Sequence, residues 1–404
     1  MVVANVVPAT ISLAKVLEVG AGKEFSNLQA AALQAKAGDT ILIRKGIYGG
    51  GNFISNLKGK PSAWITITAA ANEKVIFRGG SEAIHLSDPE YVKISNLTFE
   101  DQTGNTVNID DAASLESPAH HVIIENCIWE RINATGNNDQ LKISGLDEFT
   151  IRQCRFSNGS AGGSLIDMVG CHKGIIENNT FENGGSNSVQ AKGGTKDITI
   201  QRNKFINGGQ RAVNIGGSTG LPYFRPQGVN YEASFIKVYS NIVIGGQSAF
   251  AFVGAINSEV VNNTIIKPER WAIRILQENK GAGFLPCSNN KLSNNIVITE
   301  SVQPAINIGG DTDAASFTFS NNLWFNPKNS LWTGPETPVK ELNQILNKNP
   351  MLKENSFEPE ANSPVLGRGQ SHKHPQSDFA GNHFDTKNRS IGALEVQKIK
   401  LLFD

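Results

Sequence analysis

Residues 174–205 read GIIENNTFENGGSNSVQAKGGTKDITIQRNKF, and this stretch holds one pattern twice. An apolar strand runs into an asparagine turn and leaves on a bulky apolar residue: first GIIENNTF from Gly174, then ITIQRNKF from Ile198. Working outward, the pattern recurs as VKISNLTF from Val92, VIIENCIW from Val122, FTIRQCRF from Phe149, IKVYSNIV from Ile236, SEVVNNTI from Ser258, NKLSNNIV from Asn290 and FTFSNNLW from Phe317. Aligned on the strand, one column runs Leu97, Cys127, Cys154, Asn179, Asn203, Asn241, Asn263, Asn295, Asn322. Self-similarity at this spacing marks a solenoid, in which each repeat buries its apolar face only by stacking on its neighbours. Short strands and turns rich in Asn and Gly make the unit a β-coil. At a parallel-strand spacing of about 4.8 Å, stacked side-chain amides can hydrogen-bond along the column and satisfy buried turn backbone. The expected fold is all-β, a single-stranded parallel β-helix.

A second strand precedes each repeat: AIHLS at Ala83, TVNID at Thr106, QLKIS at Gln140, LIDMV at Leu165, VQAKG at Val189, VNIGG at Val213, AFAFV at Ala249, AIRIL at Ala272 and AINIG at Ala305. Period-two alternation sends the apolar pairs inward, from Ile84/Leu86 to Ile306/Ile308. The outward column then reads His85, Asn108, Lys142, Asp167, Gln190, Asn214, Ala251, Arg274, Asn307, and a parallel column two residues on includes Asp110, Ser144 and Lys192. A solvated sheet face carries such residues too. Two insertions flank the same rungs, however, and long loops in a compact domain are usually functional. Ser218 to Ser234 contains Tyr223, Phe224, Arg225 and Tyr231, whose rings suit sugar faces, and Gln277 to Ser288 follows Arg274. These insertions are expected to wall a groove.

With 404 residues, 40 of them Gly, 7% aromatic and a formal net charge of 0, the chain has no charge excess to suggest nucleic acid or a membrane surface. No run approaches a membrane span. The opening MVVANVVPATISLAKVLEVG lacks a basic leader and a convincing cleavage site, so a signal peptide is either absent or already removed. Cys127 and Cys154 share a column, which fits either a disulfide or two small side chains stacked in a coil interior; Cys171 and Cys287 have no metal-ligand spacing. No zinc site is read. The domain is taken as residues 17–395, with residues 17–45 as an N-terminal cap and first strand and 326–395 as a capping tail. Ser26 is a plausible N-cap for a short helix in SNLQAAALQAKAGD, and SIGALEV a last strand. His372, His374 and Asp378 of the tail are expected on a solvated surface.

FSNLQAAALQAKAGDTILIRKGIYGG, the Asn-ladder coils and the closing DFAGNHFDTKNRSIGALE resemble the right-handed parallel β-helix proteins of the pectate-lyase-like superfamily over roughly residues 17 to 395. The resemblance implies a secreted or periplasmic carbohydrate-active protein with its groove on the first sheet. VQAKGG followed one coil later by QRAVNIGG is similar to alginate lyases and chondroitinase B, where an outward Lys is the base and an Arg acts nearby. Lys192 matches that lysine. The arginine's position falls on Gly216, and the substitute is Arg211, in the turn entering that coil. Those lyases also use calcium, which the resemblance leaves open here, but the residues around Gly185 to Ser188 offer no clear counterpart to its ligands, and no cofactor is read from the sequence itself.

The chemistry can be stated without the resemblance. Elimination at a uronate needs a base for the proton next to the carboxylate, a cation to stabilise the enolate, and an acid for the leaving oxygen. Like-charge repulsion from Lys142 and Arg211 would favour the neutral amine of Lys192, the form a base needs. Arg211 or Arg274 would neutralise the carboxylate bidentately. Asp167 would orient Lys192 or bind a sugar hydroxyl, and Lys142, Gln190, Asn214, Tyr223, Arg225, Tyr231 and Arg274 complete the expected substrate contacts. The expected partner is an anionic polysaccharide, with neither nucleic acid nor membrane. Two alternatives stand: a glycoside hydrolase using Asp167 with Asp139, and a β-helix that binds glycan without cleaving it.

Overall fold

The computed structural model describes residues 13–396, except 115 and 282. The apolar opening at residues 1–12, read above for a signal peptide, therefore falls outside the described residues. Among them the chain coils repeatedly through three long parallel sheets of 13, 10 and 12 strands. The eight-residue patterns supply the 13- and 12-stranded sheets, one strand on each side of the asparagine turn; the alternating strands supply the ten-stranded sheet. It is a parallel β-helix.

The core follows the alternation except at the last rung, where Ile306 is buried but Ile308, expected inward, is 41% exposed. Ile84, Leu86, Leu141, Ile143, Ile166, Met168, Val213 and Ile215 are fully buried. The bulky residue leaving each turn stacks on the next, with ring centroids 4.3 Å apart for Trp129 and Phe156, 5.2 Å for Phe156 and Phe181, and 4.9 Å for Phe181 and Phe205. At the turn the asparagine column forms a ladder. Asn203 donates to Asn241 Oδ1 from its backbone N at 2.9 Å and from Nδ2 at 3.1 Å, and Nδ2 also reaches Ile176 O at 2.9 Å. The same links join Asn179 to Asn203, Asn241 to Asn263, Asn263 to Asn295 and Asn295 to Asn322. Glu341 ends it, accepting from Asn322 N and Nδ2 at 2.9 and 2.7 Å and from Trp324 Nε1 at 2.8 Å. Burial raises the Glu341 carboxyl, and the three donors only partly offset this.

All four cysteines are free and buried, so Cys127 and Cys154 are stacked interior side chains. Burial pushes the Cys171 and Cys287 thiols up to about 12. The N-terminal helix is a single turn, Leu28–Ala32, and its N-cap is Asn27, whose side chain accepts from Ala30 N at 2.9 Å; Ser26 does not serve. SIGALEV is not a strand. Its backbone is taken by outer-turn side chains, as in Asn262 Nδ2 to Ser390 O and Gly392 O at 3.0 and 2.9 Å, and by Thr264 Oγ1, which accepts from Ala393 N at 2.9 Å. Asp378 is fully buried among backbone donors, and His372 hydrogen-bonds Ser293 and Lys291, while His374 is exposed. The expected solvated surface therefore holds only for His374. No helix among the described residues is long and apolar enough to cross a membrane.

Candidate functional site

Strand pairing reproduces the outward column rung by rung: His85 beside Asn108, then Lys142, Asp167, Gln190, Asn214, Ala251, Arg274 and Asn307. Lys192 lies beside Val169 in the second column. Arg211 opens the strand Arg211–Gly216, beside Asn187, and is not in a turn.

These columns bring Lys142, Asp167 and Lys192 together. Lys142 Nζ donates to Asp167 Oδ2 and lies 3.7 Å from Asp139 Oδ2, while Lys192 Nζ lies 3.2 Å from the same Asp167 oxygen and 3.3 Å from Gln190 Oε1. The two amino groups thus share one carboxylate, which bridges the bare repulsion expected between them. The acids lie deeper than the bases: Asp167 and Asp139 are 0% and 2% exposed, against 21% and 14% for the side chains of Lys142 and Lys192. Burial, with the Asp167 charge behind it, pushes the Asp139 carboxyl up to about 7. Burial works against the Lys142 ammonium too, but the fields of Asp167 and Asp139 outweigh it and hold the amine above its usual range.

The next rungs are cationic. Arg211 reaches Asn214 Oδ1 at 3.2 Å and Glu278 Oε1, on the second insertion, at 2.6 Å. Arg274 stacks on Trp271 with its guanidinium 4.4 Å from the ring centre, and Arg270 lies 4.9 Å from the same ring. Burial, then the charge of Arg211, depresses the Arg274 guanidinium, whereas Glu278 supports it. An arginine at Gly216 is sterically impossible: φ is +105°, and a Cβ would lie 1.8 Å from Val253 O.

The first insertion does not lie as expected. Arg225 turns inward, forking onto Asp147 at 2.7 and 2.8 Å and onto Gly170 O at 2.7 Å, so it anchors the loop and is not presented to a ligand. Burial raises the Asp147 carboxyl, but hydrogen bonds from Arg225 and His172, followed by the Arg225 charge, outweigh it and bring it down to about 2. Tyr223 is exposed beside His85 and Asp110, away from Arg211, and Tyr231 is half-buried. Sequence reasoning missed Glu232, which joins the insertions. Fully buried, it accepts from Gly193 N, Thr219 N, Thr219 Oγ1 and Asn279 Nδ2 at 2.8–3.0 Å. It carries no periodic signal.

A divalent cation does not fit this floor. Lys142 Nζ already occupies the place between Asp139 and Asp167, and no group of three or more metal-ligating side chains forms among the described residues.

Residues 82–265 match the family described as "Right handed beta helix region". The pectate lyase Pel9A superposes at a TM-score of 0.51 and 13% identity, over 96% of this chain and 98% of its own. XylC, solved in complex with xylose, gives 0.55 and 11%, over 95% and 98%. This is the right-handed parallel β-helix fold. The PL6 family alginate lyase AlyGC gives 0.49 and 15% over 94% of this chain, which spans 58% of that enzyme's length. No curated protein sequence matches. The likeness is one of fold, so what this β-helix does rests on the residues of its groove.

Proposed function

We propose that the protein is a polysaccharide lyase, secreted or periplasmic, that cleaves a uronate-containing glycan by β-elimination on the face of the ten-stranded sheet. One observation carries the reading: at the centre of the groove the charged side chains that reach solvent are the cations Lys142 and Lys192, and the two acids of the floor lie beneath them. A hydrolase needs both carboxylates at the scissile bond. Here Asp139 and Asp167 are covered by Lys142.

The substrate carboxylate displaces Glu278 and pairs with Arg211 and Arg274, which stabilise the enolate as it forms. Lys192, as its neutral amine, takes the proton next to the carboxylate and becomes the ammonium. The electrons of that C–H bond become the new double bond as the bond to the leaving oxygen breaks, and Lys142 protonates that oxygen. Lys142 suits this because Asp167 and Asp139 keep it charged before turnover. Asp167, touching both amines through one oxygen, lets the proton gained by Lys192 return to Lys142. Gln190 holds a sugar hydroxyl, whereas Asn214, expected to do the same, is 0% exposed and bonded to Arg211 and to Gly216 O, so it positions Arg211 instead. No cofactor is required. The domain is residues 17–395, with the Leu28–Ala32 helix closing the first coil and the segment from 326 covering the last.

Purified protein is incubated with uronate polysaccharides, and both ultraviolet absorbance and reducing ends are followed. Absorbance from an unsaturated uronate supports elimination. New reducing ends without absorbance mean hydrolysis by Asp139 and Asp167, and binding without either product means a glycan-binding β-helix.

A further inference from the structure

Beside the lysine pair, toward the N-terminal coils, lies a cavity of about 580 Å3 that elimination at Lys192 does not use. It is continuous with the groove: Val169 lines it and pairs in register with Lys192. Two rings stand at its edge, Phe53 with 50% and Tyr223 with 72% of its surface exposed. Tyr223 is set there by the turn Leu221–Tyr223, which Arg225 pins through Asp147 and Gly170. An exposed ring on an anchored turn costs little further ordering when a ligand covers it.

The polar lining is acidic. Asp110 is paired with His85 at 2.6 Å and accepts from Ser87 Oγ at 2.7 Å and Ala112 N at 2.9 Å, and Arg225 is engaged with Asp147. This leaves Asp111, whose Oδ1 accepts from Ala113 N at 3.1 Å, as the carboxyl that no basic side chain pairs with among the described residues. At the opposite end of the same face Arg211 pairs with Glu278, Arg274 lies within the field of both, and Arg270 shares the Trp271 ring with Arg274. The groove is therefore charged oppositely at its two ends. A carboxylated sugar is repelled from the cavity. An uncharged one offers ring faces to Phe53 and Tyr223 and hydroxyl donors to Asp111.

We infer that this cavity is a subsite for a neutral sugar residue, so that the substrate is a heteropolysaccharide in which uronate and uncharged sugars occur in one chain. The uronate half of this statement rests on the elimination reading; the neutral subsite does not.

Titration calorimetry with cello-, xylo- and mannotetraose on one side and tetragalacturonate on the other tests it. At least one neutral tetrasaccharide should bind, and Tyr223→Ala should weaken it about tenfold, the scale of one lost ring contact. The same variant should leave tetragalacturonate affinity and the unfolding curve unchanged, and Lys192→Ala should leave neutral binding intact. Failure of all three neutral probes to bind, or an equal loss for tetragalacturonate in Tyr223→Ala, overturns the inference. Absence of unsaturated products from every uronate polymer would defeat elimination alone, since neutral binding is read without turnover.

Discussion

Each middle coil carries two stacked polar columns, and they obey opposite rules. The coil with Asp167 on its outer face has Asn179 at its turn, the coil with Gln190 and Lys192 has Asn203, and the coil with Asn214 has Asn241. In the ladder one residue type repeats, and each amide oxygen accepts two bonds from the coil before. On the outer face the middle rungs differ from one to the next, Lys142, Asp167, Gln190 and Asn214. There Asp167 Oδ1, Asn187 Oδ1 and Arg211 Nε are buried with no hydrogen-bond partner among the described residues. Backbone rise is shared, so the contrast lies wholly in the side chains: one column holds the coil, and the other keeps bonding capacity in reserve. Unsatisfied buried polar groups are costly, and a functional surface is where that cost is tolerated.

The sharpest way to break this division is Lys192→Ala. If the outer column works and does not hold, turnover should fall by roughly 10²–10⁴-fold, the contribution of a positioned acid–base group, with an unchanged unfolding midpoint. Retained turnover on the true substrate removes Lys192 from the chemistry.

Asp139 tests the reserve through pH. Its carboxyl titrates near 7 in the folded protein against a reference of 3.8. Below the reference value both states are protonated. As pH rises toward 7 the unfolded chain releases the proton while the native state keeps it, so native stability falls, and above 7 the slope ends. The ceiling of this effect is on the order of 4 kcal/mol. Asp139→Asn should flatten the decline between about pH 4 and 7. Denaturant unfolding across that range reads it, and an unchanged slope shows that Asp139 is not held protonated.

The ladder should behave the other way. Asn203→Leu or Asn241→Leu leaves the neighbouring turn with unpaired backbone and should cost about 1–3 kcal/mol without altering turnover per folded molecule. An unchanged midpoint in both variants would mean that the ladder does not hold the coils.

How much of this the sequence discloses depends on range. The ladder and the outward column are periodic, so local spacing places them, and the strand register agrees at every rung from His85 to Asn307. Glu341, Glu232 and Glu278 have no period. They come from the tail and the insertions to meet Asn322, Gly193 and Arg211 across 19, 39 and 67 residues. Arg225 was misjudged for the same reason: its partner Asp147 is 78 residues away, and nothing local says that it turns inward. SIGALEV has strand composition, but the side chains of Asn262 and Thr264, not a strand edge, receive it.

Glu278 offers the smallest effect and the finest test of the cationic end. It sits on an insertion with its side chain 38% exposed, and its Oε1 lies 2.6 Å from Arg211 Nη2, whose side chain is only 14% exposed. A carboxylate brought to this arginine by a loop occupies the place proposed for the carboxylate of a uronate. Half-exposed ion pairs are worth about 0.2–1 kcal/mol, so Glu278→Gln should tighten binding of tetragalacturonate by no more than about fivefold. Added salt should shrink the difference, because both the competing pair and the ligand are screened. Arg211→Ala should move affinity the opposite way, and in the double variant Glu278→Gln should bring no further gain. Calorimetry at low and moderate salt measures all three. Weaker binding in Glu278→Gln would mean that this carboxylate positions Arg211 for the substrate and does not compete with it.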